Sequence, residues 1–108
     1  MKRKFDMFKT TVDLKHGFDG VKSVGLHLLT AGGALDALEL GLAENEGEVS
    51  MLRLRMYELA NMVTVGGAPV TVEQINNMLS TDYDTLNQAA KDLEKKLEAP
   101  AETHQSAG

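Results

Sequence analysis

Two runs of alternating residues, separated by one short glycine-bearing stretch, limit what this chain can become more than anything else in it. Phe8, Thr10, Val12 and Leu14 fall on one side of the first run, and Lys9, Thr11, Asp13 and Lys15 on the other. A repeat of two with β-branched members predicts a strand with one wet face. "KHGFDG" follows, with Gly17 and the pair Asp19-Gly20. These residue types tolerate positive φ and predict a turn or short loop. Lys22, Val24, Leu26 and Leu28 then alternate with Ser23, Gly25, His27 and Leu29. So short a connection makes the second strand antiparallel to the first. A two-stranded hairpin is marginal in water, so the rest of the chain has to cover its apolar face.

The cover is helical. Thr30 can cap a helix, and Leu35, Leu38 and Leu42 follow at helical spacing, giving an element from about Gly33 to Ala43. A stronger helix begins near Glu46–Ser50, with Leu52, Met56, Leu59 and Val63 as its apolar stripe. Gly66 can cap it and Pro69 forbids its continuation. Thr71 with Gln74 forms a capping box for a short third helix. Ser80 or Thr81 opens the last one, where Asp82 and Asp84 suit the positive end of the helix dipole. Its stripe is Leu86, Ala89, Ala90, Leu93 and Leu97. The reading is an α+β fold: an N-terminal antiparallel β-hairpin followed by about four α-helices, in a single domain over residues 8–97. Residues 1–7 are read as a flexible N-terminus and 98–108, "EAPAETHQSAG", as a disordered tail.

A chain of 108 residues suits one domain with a modest core. It has no Cys, so thiolate chemistry, disulfides and Cys-ligated zinc are excluded. No apolar run approaches the ~18 residues of a membrane span, and "MKRKFDMFKTT" lacks the apolar region of a signal peptide. The cytoplasm is the expected compartment. The net charge of −5 argues against phosphate-driven binding of nucleic acid, and Lys2, Arg3 and Lys4 read as a solvated terminus.

Nothing in the pattern points to catalysis or to a cofactor. His16, His27 and His104 stand apart, with no carboxylate at ligand spacing. "GFDGVKSVG" and "TAGGA" fit no phosphate-binding fingerprint. The pairs Asp82/Asp84 and Glu44/Glu46 are explained by helix starts and solvation. The chain is therefore read as a non-enzyme without metal or cofactor. Met51, Met56, Met62 and Met78 cluster in the second and third helices, either as ordinary core or as a surface able to repack against a partner. Leu54 and Met62 lie off the main stripe. With Met51 and the hairpin residues Leu26 and Leu28, they make the candidate partner-binding set. Self-association through such a surface, giving a homo-oligomer, is compatible with the pattern.

The arrangement resembles the small tail assembly chaperones of Mu-like and related long-tailed phages and prophages. The resemblance spans residues 8–97. It rests on Val12-Asp13-Leu14, Gly20-Val21, Leu26-His27-Leu28-Leu29 and Thr30-Ala31-Gly32, and on "LANMVTVGGAPVTVEQINNMLSTDYDTLNQAAKDL" in the second half. The family often has Arg and Pro before the Thr, where this chain has Leu28 and Leu29, and an acidic residue after the glycine, where it has Gly33. The resemblance implies a non-catalytic protein of the host cytoplasm. Such a protein binds the tape-measure protein, keeps its long helices soluble and assists tail-tube subunits in polymerising around it. It also implies a longer frameshifted product. Two further readings are a DNA-binding transcriptional regulator using the 71–97 helices and an acidic inhibitor or adaptor. The first is opposed by Asp82, Asp84 and Asp92 on the would-be recognition helix.

Overall fold

The computed structural model describes residues 9–107, with side chains for residues 9–96. The basic cluster Lys2-Arg3-Lys4, the segment 1–7, Phe8 and the side chains of Leu97 and His104 lie outside the described residues. The elements in order are β1 (Lys9–Phe18), β2 (Val21–His27), α1 (Ala31–Glu44), α2 (Met51–Ala60), β3 (Val63–Val65), β4 (Ala68–Pro69), α3 (Val72–Asn76) and α4 (Ser80–Ala107). The hairpin and four helices read from the sequence are present. Helix α4 as bounded includes Pro100 and nearly all of the stretch read as a tail.

The sheet is an antiparallel meander in the order β1-β2-β3-β4. Val12 stands opposite Val24 and Thr10 opposite Leu26, so Val12, Val24 and Leu26 point into the core, where each is buried. The connection between the strands is tighter than the sequence suggests. Asp19 (φ 49°) and Gly20 (φ 77°) alone make the turn, with the two positive φ angles that a two-residue hairpin of this hand requires. Lys15–Phe18 belong to β1. Asp13 pairs with Ser23 and Phe18 with Val21, so residues 14–17 stand opposite Lys22 alone. The result is a wide bulge in β1.

Helix α2 stops at Ala60, short of the stripe residue Val63. Val63-Thr64-Val65 are β-branched and pair with Gly25 and Leu26 of β2. Gly66-Gly67 turns the chain into β4, so this stretch is a second hairpin and not a helix end. The caps at Thr30 and Thr71 fall where the sequence places them, while α4 already begins at Ser80, one of the two residues read as its cap. Thr30 Oγ1 accepts from Gly33 N at 2.9 Å and Ser50 Oγ from Arg53 N at 3.1 Å. Thr71 and Gln74 complete their capping box.

Leu86, Ala90 and Leu93 of α4 are buried as the stripe predicts, and α4 packs along β1. With Leu14, Leu59, Met62, Val63 and Ile75 they form one core. Helix α1 departs from its pattern. Its buried residues are Ala37 and Gly41, while Leu35 and Leu38 face outward. The reason is close approach. A Cβ on Gly41 would stand 3.4 Å from Val49 Cγ2 and 3.6 Å from Tyr57 Cδ1, so α1 meets α2 on its small-residue face. Three polar contacts fasten that face. Tyr57 Oη donates to Glu44 Oε1 at 2.7 Å, Asn45 Nδ2 donates to Tyr57 Oη at 3.2 Å, and Asn61 Nδ2 donates to Gly33 O at 2.8 Å.

Candidate partner-binding site

Of the five residues proposed from sequence to meet a partner, two are core. Leu26 and Met62 are buried, Met62 completely. Met62 follows the end of α2, its carbonyl accepts from His27 N at 2.9 Å, and its side chain points under the sheet. A helical wheel extended past Ala60 puts it on the wrong side. Leu26 faces the core because it shares the inward phase of Val24. Leu28 packs partly against the core and Leu54 is half-buried. Met51 is 86% exposed.

The apolar surface lies beside Met51 and has other members. Leu52, read from sequence as a stripe residue, is 83% exposed, and Leu79 is 54% exposed. Ser50 caps α2, so Met51 and Leu52 occupy its first turn and project beyond the core that Leu59 enters two turns later. Next to them is a cleft of about 390 Å³ between α2, α3 and the start of α4. Leu52, Met56, Ile75, Met78 and Tyr83 supply its apolar lining and Arg53 a cation. Volume and lining are those of a site that takes apolar groups. Burial pushes the Tyr83 phenol above its ordinary pKa, so it lines the cleft as a neutral ring.

The walls are fixed from behind. Arg55 Nε donates to Asn87 Oδ1 at 2.8 Å, and its guanidinium meets Glu58 at 3.1 Å and Glu94 at 3.7 Å, tying α2 to α4. Asp82, one turn from Leu79, is fully buried. Its carboxylate accepts from the main-chain N–H groups of Lys15 (2.9 Å), His16 (3.2 Å) and Gly17 (2.8 Å). These are the donors that the β1 bulge turns away from β2. Burial alone would raise the Asp82 pKa. The three N–H groups outweigh it and hold the carboxyl below the usual range. Asp82 thus anchors the start of α4 to β1.

Comparison with protein-family models, with curated proteins and with solved structures gives no match.

His16 lies in β1 and not in a turn, and His27 Nδ1 sits 2.9 Å from Leu28 O. Among the described residues no three His, Cys, Asp or Glu side chains converge on a metal-sized space, and no helix is long and apolar enough to cross a membrane. The sequence did hold a signal for Leu52 and Leu79. Leu52 lies in the first turn after the capping Ser50, and Leu79 immediately precedes the first residue of α4.

Proposed function

We propose that this protein is a non-catalytic tail assembly chaperone of a long-tailed phage. It holds an apolar helical segment of the tape-measure protein against the α2–α3–α4 cleft in the host cytoplasm, with the tail-tube protein as a second client. One observation carries the binding role. Leu52 stays exposed at an apolar cleft, with Met51 exposed next to it in the chain and Leu79 exposed between the cleft residues Met78 and Ser80, although no buried side-chain polar atom among the described residues lacks a partner. Apolar side chains left exposed beside an apolar cleft are the usual mark of a docking surface. Met56 and Met78 supply adaptable lining, which suits a client presenting many similar segments. The partner's identity rests on the resemblance of residues 8–97 to the family.

Co-expression with a phage tape-measure protein tests the reading. The soluble fraction of that protein should rise and the two chains should co-purify. Leu52→Ser with Leu79→Ser should abolish both effects. Unchanged solubility with the unaltered chain would overturn the proposal.

A further inference from the structure

The protein's charge imbalance resides in one segment of the chain, α1 and the residues just after it. Between Lys22 and Arg53 there is no Lys or Arg, and there are five acids: Asp36, Glu39, Glu44, Glu46 and Glu48. The whole chain has 16 acidic and 11 basic residues, so without those five it has 11 of each. The net charge of −5 is therefore the charge of α1 and the turn after it. All five carboxylates are exposed. Glu44 accepts from Tyr57, and the ion pairs found among the described residues, both made by Arg55, involve none of the five.

The same element presents leucines to solvent. Because α1 packs through Ala37 and Gly41, Leu35 is 55% and Leu38 is 39% exposed, and the half-buried Leu42 continues their row at the i, i+3, i+7 spacing. Asp36 and Glu39 lie on the adjoining strip of the helix. An apolar row beside a field of one sign is selective. It favours a partner whose own apolar stripe is bordered by cations, and it repels a partner bordered by carboxylates.

We infer that the outer face of α1 docks an amphipathic helix of a partner protein whose leucine-type stripe is flanked by Lys or Arg. A second copy of this chain does not suit the face. A two-fold contact sets each patch against itself, and would bring the Asp36 and Glu39 carboxylates of the two copies together. The surface shares no residue with the α2–α3–α4 cleft, so this inference stands apart from the function proposed above.

The test uses the full chain and two synthetic helices of about 18 residues, long enough to cover the ~21 Å of α1. Both carry one leucine stripe; one is bordered by Lys and the other by Glu. By fluorescence anisotropy the Lys peptide should bind at least about tenfold more tightly, and its advantage should shrink as salt is raised. Leu35→Ser with Leu38→Ser should weaken the Lys peptide about tenfold while leaving the thermal melt unchanged. Asp36→Asn with Glu39→Gln should flatten the salt dependence. Leu52→Ser with Leu79→Ser should leave binding intact. Equal binding of the two peptides, indifference to the Leu35 and Leu38 changes, or loss through the cleft variant would each overturn the inference. So would sedimentation showing self-association that Leu35→Ser with Leu38→Ser abolishes, because the occupant would then be a second copy.

Discussion

The Asp82 carboxylate accepts the Gly17 main-chain N–H at 2.8 Å across 65 residues of sequence. With the bonds from Lys15 and His16, this contact joins the start of α4 to the bulge of β1. Asp82→Asn removes the charge and one acceptor and should lower Tm by roughly 10 °C near neutral pH. The pH dependence has a definite sign. The folded pKa is depressed, so the stabilisation is present above the unfolded value of about 3.9 and is lost as pH falls through the folded one. Melts recorded from neutral pH down to about pH 2 should converge for the two proteins. Parallel curves would contradict the role given to Asp82.

Gly17 itself is the second test. It has φ +78°, and a Cβ there would collide with the Val21 carbonyl oxygen. Gly20 has nearly the same φ but open space around it. Gly20→Ala should cost about 1 kcal/mol for the left-handed backbone alone. Gly17→Ala should cost at least twice as much in urea denaturation, because the bulge must also deform. Equal costs would mean that the bulge yields freely.

Two methionines separate core from surface. Met62→Ala should destabilise by about 2–5 kcal/mol, because the side chain is wholly enclosed. Met51→Ala, at an 86% exposed site, should stay within about 0.5 kcal/mol. Chemical denaturation of the two variants side by side decides the assignment.

The hydroxyl of Tyr57 donates to Glu44 Oε1. That bond and burial both raise the phenol pKa. Tyr57→Phe should cost about 1 kcal/mol and loosen α1 against α2. In the unaltered chain, which has two tyrosines, absorbance titration should show neither ionising at the free-phenol value of about 10, since Tyr83 is raised as well. The stabilisation from a raised phenol is present below the unfolded pKa and is lost as pH climbs through the folded one.

Leu52→Ser and Leu79→Ser change side chains that support no core. Each should leave Tm within about 3 °C and reduce binding of an apolar fluorescent dye such as ANS. Undiminished dye binding would place the accessible apolar surface elsewhere.

The strands were legible because a repeat of two over Thr10–Leu14 and Lys22–Leu28 has one interpretation and the turn chemistry of Asp19-Gly20 agrees with it. The α4 stripe was legible for the same reason, through Leu86, Ala90 and Leu93. Helix α1 misleads. Leu35, Leu38 and Leu42 form a regular stripe, but spacing does not say whether large or small residues meet the neighbour, and here Gly41 and Ala37 do. Val63 satisfies both the last step of a helical stripe and the first position of a strand, and only its pairing with Leu26 decides between them. For Asp82 the local signal was a favourable first-turn acid. Its actual partners are far away in the chain and are main-chain groups, which carry no residue-type signature. The candidate site suffered from both effects: Met62 was assigned by an extended helix that does not exist, while Leu52 was credited to the core.

Strand β1 ends the sheet on one side. Such borders invite copies of a chain to zip together and precipitate. Here the main-chain donors of Lys15, His16 and Gly17 are already taken by Asp82, so a stray strand arriving at that stretch finds no hydrogens to capture. The protein is thereby kept from becoming an aggregation seed along this margin.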